Sequence, residues 1–220
     1  MVEPKNKNII SLDDPWIEDF SRNLTPYYVE NQMSQDLATE DGNEQYLTKS
    51  FHIQELNRAI KINNNSAPGK DNIEYSMLAN LPENAKHLLL DIFNNIFNSK
   101  FPVPAQWTEY IIVPILKSGK PANLSSSYRP IALASCVLKT YERILKNRLE
   151  FWIEKKNKYP KTQFGFRKGH SVQEAIASLI TDIQIGFTEN QSTSAVFLDV
   201  KGAYDSVIYD ILFKKMLTLG

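Results

Sequence analysis

The chain has 220 residues, 25 Lys/Arg against 25 Asp/Glu, and 42% hydrophobic residues. That apolar content excludes wholesale disorder, and the single cysteine, Cys136, excludes an internal disulfide and points to a reducing compartment. No apolar run approaches a membrane span, and the N-terminal MVEPKNKN has no signal-peptide core, so an intracellular, soluble protein with no membrane partner is expected.

The zero net charge hides an uneven distribution. Residues 1–60 carry 5 Lys/Arg and 11 Asp/Glu, residues 61–170 carry 17 and 8, and residues 171–220 carry 3 and 6. Between 117 and 168 there are 13 cations, and the only acids are Glu142, Glu150 and Glu154. A cationic segment ahead of a carboxylate-bearing one suits a polyanion held beside a metal; a solvated basic helix face accounts for part of it equally well.

Residues 1–50 are polar and acidic and read as a linker or tail with one short helix, in which Trp16, Phe20, Tyr27 and Tyr28 are the candidate anchors. Residues 51–62 place Ile53, Leu56 and Ile60 on one helical face, ending at the turn-forming Asn63, Asn64 and Asn65. In SAPGKDNI, residues 66–73, Pro68-Gly69 marks a turn. That loop is either a plain connection or a cradle laying N–H groups and Lys70 along a phosphate chain.

Residues 84–99 carry a helical stripe of Leu89, Ile92, Phe93 and Ile96, broken at Pro102. The segment 107–116, WTEYIIVPIL, reads as a strand that Pro114 confines to an edge or bulge. A basic turn, KSGKP, and a polar loop join it to a second strand at 127–133, SYRPIAL. The pair forms a hairpin-like arm with Lys117 and Arg129 flanking the loop, either as phosphate ligands or as plain surface charges.

A long amphipathic helix is predicted over 135–157. Its inner stripe is Leu138, Tyr141, Leu145, Leu149 and Trp152, and Lys139, Arg143, Lys146 and Arg148 fall on its other faces. The loop QFGFRKGHS, 163–171, sets aromatics among cations and glycines, a composition that stacks on bases and holds phosphates. Ser171 and Glu174 form a capping box opening a helix whose expected buried face is Ala175, Ile176, Leu179, Ile180 and Ile183.

The stretch 195–207, AVFLDVKGAYDSV, is the richest in chemistry. The apolar run Ala195 to Leu198 reads as a buried strand ending in Asp199, with Tyr204 and Asp205 close behind. An ionised carboxylate half-buried at a strand end needs a positive partner, and a hard cation such as Mg2+ prefers oxygen ligands. A turn residue or helix cap is the plainer alternative. Residues 206–217 look helical, with Val207, Ile211, Leu212 and Met216 inward.

SAPGKDNI, WTEYIIVPILKSGKP, SSSYRPIALASCVLKTYERIL, QFGFRKGHS and AVFLDVKGAYDSV stand in one order and spacing. In this the chain, over about residues 51–220, resembles the reverse transcriptase domain of non-LTR retrotransposons, the jockey-like LINE group in particular. The resemblance implies an α+β fold, the fingers and partial palm of a right-hand polymerase. Residues 51–190 would form the fingers and the fingers–palm region, and 191–220 the first palm strand.

It also implies the site. Asp199 and the main-chain carbonyl of Val200 would hold two Mg2+ ions. Tyr204 would lie under the nucleotide sugar, Lys117 and Arg129 would grip the incoming dNTP, and Arg167 with Lys70 would handle the template. Asp205 matches a structural position beside the site. The implied partners are an RNA template and a DNA primer or target; a nuclear location follows from the family alone.

One motif departs from the family. An aromatic-Ala-Asp-Asp turn is expected downstream of Asp199, but no adjacent carboxylates follow it, and Asp13-Asp14 is the only Asp pair. Two-metal catalysis needs several carboxylates. These 220 residues are therefore expected to be an inactive, truncated copy without a thumb. A non-catalytic RNA-binding module is the alternative.

Overall fold

A computed structural model of the chain describes residues 15–24, 45–61, 66–200, 202–204 and 206–219. Tyr27, Tyr28, the turn at 63–65, Asp13-Asp14 and Asp205 lie outside them. The described residues divide into two compact units, one running to Arg148 and one beginning at Leu149.

The first unit is built on helices α3 (Ile53–Lys61), α4 (Tyr75–Ala79), α5 (Glu83–Phe97) and the first part of α6 (Cys136–Lys155). Leu56, Ala59 and Ile60 of α3 meet Leu90, Phe93 and Ile96 of α5 in one core. Tyr75 and Leu78 of α4 and Val137, Leu138, Tyr141 and Ile144 of α6 complete it. The α5 stripe is rotated from expectation: Leu90 is buried and Ile92 exposed, because the helix faces α3 and α6 through Leu90, Phe93 and Ile96. Two further helices, α1 (Pro15–Leu24) and α2 (Gln45–Thr48), precede the bundle.

In α6 Leu138, Tyr141 and Trp152 of the expected stripe are buried and Leu145 is half-buried, but two of the cations turn inward as well. Thr140, Ile144 and Arg148, spaced by four, are buried, while Leu149 is exposed. Arg148, expected on an outer face, is only 3% exposed. Its guanidinium donates to both oxygens of Glu55 at 2.7 Å and to the carbonyls of Lys49 and Ser50, over the rings of Phe51 and Tyr46. Arg143 likewise turns inward, to the carbonyl of Ala59 at 2.5 Å and the hydroxyl of Tyr75 at 3.2 Å. Five donors on a planar fork let one Arg satisfy several carbonyls at once, so these cations tie helices together.

The loop 66–73 is fixed by close approach. A Cβ on Gly69 would lie 2.6 Å from the backbone nitrogen of Ser135, so only glycine fits against the start of α6. Ser135 caps that helix, its hydroxyl accepting from the N–H groups of Val137 and Leu138. Cys136 is buried beside it, and burial pushes its thiol above the ordinary range.

Strands β1 (Ile111–Leu116) and β2 (Tyr128–Leu133) pair antiparallel as a two-stranded sheet. Trp107, expected within the first strand, instead lies in a 3-10 turn, Ala105–Thr108, and packs edge-on to Phe93. Pro114 stands opposite Pro130. Lys117 N donates to Ser127 O at 2.8 Å, one step beyond the Leu116–Tyr128 pair. Alternation then puts the proline pair at an open position, where an N–H would point away from the partner strand, so neither ring removes a ladder bond.

In the second unit, α7 (Val172–Thr188) begins where the capping box predicts: the Ser171 hydroxyl accepts from Glu174 N at 3.3 Å. Ala175, Leu179 and Ile183 are half-buried, but Ile176 and Ile180, expected inward, are exposed. In α8 (Tyr209–Leu219), Ile211, Leu212 and Met216 are exposed as well, and so is Val207 just before it. The expected buried strand at 195–198 does not form: Val196, Phe197 and Leu198 are exposed, Leu198 at 90%. A strand needs a ladder for its N–H and C=O groups, and among the described residues β1 and β2 pair only with each other. No described helix is long and apolar enough to cross a membrane.

Candidate functional site

The hairpin presents the clearest constellation. Arg129 stands opposite Ile115, and Lys117 lies two residues beyond Ile115, so both cations project from one face of the sheet. Arg129 is exposed, and its guanidinium makes no hydrogen bond or ion pair among the described residues. Lys117 is folded back across the turn, its Nζ donating to the carbonyl of Ser126 at 2.7 Å. One cation is thus pre-placed and the other held in reserve on a single backbone acceptor.

The opposite face of the hairpin is anchored. Tyr128 stacks on Trp16 of α1, with centroids 4.0 Å apart and planes within 6°. Phe20 packs edge-on to both rings, and the Tyr128 hydroxyl donates to Ala122 O at 2.9 Å. A helix from the acidic N-terminal region therefore braces the residue next to Arg129. The composition of residues 1–50 hides this contact; only the i, i+4 spacing of Trp16 and Phe20 signals it.

Lys70 is not a free phosphate ligand in this structure. It is paired with the carboxylate of Glu109, both groups exposed. Asp71 turns the loop, its Oδ1 accepting from Ile73 N at 3.1 Å, and its buried Oδ2 has no partner.

Arg167 is engaged too. Its Nε and an Nη donate to the two oxygens of Glu154 at 2.7 and 3.0 Å, and it lies 5.1 Å from the Tyr159 ring centre. Hydrogen bonding from Arg167 holds the Glu154 carboxyl below its usual value. Glu154 and Tyr159 were invisible as partners in the sequence, because α6 and the loop after Pro160 must fold back before they meet.

Asp199, Val200 and Tyr204 are exposed. Gly202, at φ +61°, turns the chain between them, and Ser206 N donates to Gly202 O at 2.9 Å. Among the described residues no three His, Cys, Asp or Glu side chains come together as a metal site. The described donors therefore do not fit a two-ion centre: Asp199 is one carboxylate where several are needed. Lys117, Arg129 and Lys70 belong to the first unit, and Arg167, Asp199, Val200 and Tyr204 to the second.

Comparison with known proteins agrees with the family resemblance. Residues 115–220 match the family model described as reverse transcriptase (RNA-dependent DNA polymerase). The chain is 37% identical over 172 residues to a probable RNA-directed DNA polymerase from transposon BS of Drosophila melanogaster, covering 78% of this chain and 19% of that protein. It is 34% identical over 148 residues to the corresponding X-element protein of the same species, 67% of this chain and 16% of that one. To the RNA-directed DNA polymerase of the D. melanogaster mobile element jockey it is 29% identical over 212 residues, 90% and 22%. The chain thus spans about a fifth of the length of these relatives.

Proposed function

We propose, for a chain that belongs to the reverse transcriptase family of non-LTR retrotransposons, that these residues form the fingers and the opening of the palm of an RNA-directed DNA polymerase. Residues 51–190 hold the template and the incoming dNTP, and 191–220 bring the first catalytic carboxylate. The observation that carries this reading is the hairpin: Lys117 and Arg129 share one face, inside the segment that matches the family.

The roles follow from the chemistry. Arg129 engages two phosphate oxygens of a dNTP through its planar fork, and Lys117 exchanges the Ser126 carbonyl for a phosphate oxygen. Trp16 and Phe20 keep the strand bearing Arg129 in place by stacking on Tyr128. Tyr204 is the ring that excludes a 2′-hydroxyl. Asp199 and the Val200 carbonyl would be donors to divalent ions, whose chemistry in a complete site would be to lower the pKa of a hydroxyl nucleophile and to stabilise a leaving phosphate. The other carboxylates must come from elsewhere, so residues 1–220 bind RNA and primer but do not polymerise alone. A nuclear location goes with an RNA template and a DNA target of this kind.

Primer extension and template binding test this together. The purified chain should bind an RNA template annealed to a DNA primer, with affinity falling steeply between about 50 and about 200 mM salt as counterions are released. It should incorporate no nucleotide. Incorporation that survives in this chain and disappears in Asp199→Ala would overturn the inactivity; salt-insensitive or absent binding would overturn the polymerase reading.

A further inference from the structure

Phe166 is the most exposed aromatic in the described chain, at 91%. It also sits at φ +57°, a left-handed conformation that bulky side chains avoid. Gly169 takes one positive-φ position of the loop, at +80°, but the other falls to Phe166, an aromatic facing solvent, and not to its neighbour Gly165. Exposing an apolar ring on a disfavoured backbone is costly twice over, and such strain persists where the surrounding structure enforces it.

The loop supplies that enforcement. Arg167, the next residue, is clamped by both oxygens of Glu154 and lies over Tyr159. Behind it, His170 N donates to Arg167 O at 3.3 Å, and the His170 ring packs edge-on to Phe164 and contacts the Glu174 carboxylate at 2.9 Å. Phe164 is half-buried by this contact, while Phe166 is left outside. The two phenylalanines of one loop thus have opposite fates.

The surroundings are cationic. Lys155, Lys156, Lys158, Lys161, Arg167 and Lys168 fall within fourteen residues, and no Asp or Glu occurs between Glu154 and Glu174. Lys168 is exposed and makes no pair among the described residues. An apolar partner surface would not select so many cations; a strand of phosphates with unpaired bases does.

We propose that Phe166 is a stacking platform for one unpaired base of single-stranded RNA, with Lys168 on the adjacent phosphate. Arg167 is a positioning residue that holds the ring out through Glu154, rather than a phosphate ligand itself. This rests on the RNA-binding reading above and names one contact within it.

Fluorescence anisotropy with a labelled single-stranded RNA of mixed sequence tests it on the full 220-residue chain. Phe166→Ala and Phe166→Leu should each weaken binding about 5- to 150-fold, while Phe166→Trp keeps wild-type affinity. The salt dependence should be unchanged in Phe166→Ala and should flatten by about 0.7 in log–log slope in Lys168→Ala. Because the ring is exposed, these variants should melt as wild type does. Wild-type affinity in Phe166→Ala, or in Phe166→Leu, overturns the stacking proposal while leaving RNA binding in place. A wild-type chain that binds no RNA overturns both.

Discussion

The two units carry similar apolar patterns and use them differently. In the unit that ends at Arg148, helical stripes meet and bury one another around Phe93, Leu56 and Ile144. In the unit from Leu149 on, only Trp152 and Gly186 among the described residues are buried, and Ile176, Ile180 and Ile185 of α7 and Ile211 of α8 face solvent. Periodicity predicts a helix in both cases. It predicts burial only where a second element faces the stripe, because the favourable term is apolar area removed from water. A ladder partner plays the same part for 195–198: the run Ala-Val-Phe-Leu has the composition of a strand and no neighbour among the described residues to make it one.

If that contrast is right, the most damaging single change lies in the first unit and concerns a charge. Arg148→Ala leaves Glu55 half-sequestered and two carbonyls without a donor, and should cost about 3–5 kcal/mol, measured by urea unfolding. The same pair gives a pH test. Burial alone would raise the Glu55 carboxyl, but hydrogen bonds from Arg148 and the His52 N–H outweigh it, and the net shift is downward from 4.5. A depressed carboxylate contributes stability that is complete above its unfolded value and lost as pH falls through the folded one. Wild-type stability should therefore drop below about pH 4.5, and Glu55→Gln should flatten that drop. Equal acid sensitivity in both chains would show that the pair is not what holds α6 to α3.

A smaller effect is expected at Gly69. Alanine there places Cβ 2.6 Å from Ser135 N and 2.7 Å from the carbonyl carbon of Ala134, both backbone atoms. The loop must move off the start of α6, at a cost of about 1–3 kcal/mol. Hydrogen exchange should report this as lost protection at Val137 and Leu138, whose N–H groups are capped by Ser135. Unchanged protection would mean that the loop is a passive connection.

These residues also mark what a sequence makes legible. The capping box at Ser171 and the pairing of the two hairpin strands follow from local rules, and the structure has them, while the turn signalled by Pro68-Gly69 closes one step on, from Gly69 to Asn72. The direction of Arg148 does not, because its partners Glu55, Lys49 and Ser50 lie more than ninety residues away. The same holds for the site. Lys117 and Arg129 are legible as a pair because a hairpin register joins them, whereas the spacing of Trp16 and Phe20 marks an anchor without showing that Tyr128 is its partner. The pairings of Arg167 with Glu154 and of Lys70 with Glu109 likewise depend on chain segments returning to each other.

The smallest effect sharpens the comparison most. Ile180 in α7 is about half exposed, where Ile144 in α6 is sealed. Ile144→Ala should cost about 2–5 kcal/mol by cavity formation, while Ile180→Gln should shift stability by no more than about 0.5 kcal/mol. The helical period puts Ile180 on the expected inner stripe of α7 and leaves Ile144 out of that of α6, so sequence alone ranks them in the opposite order. Thermal melts of the two variants side by side decide whether burial or pattern governs. A large loss in Ile180→Gln would mean that this face of α7 is covered in the folded protein, and the contrast between the units would then collapse.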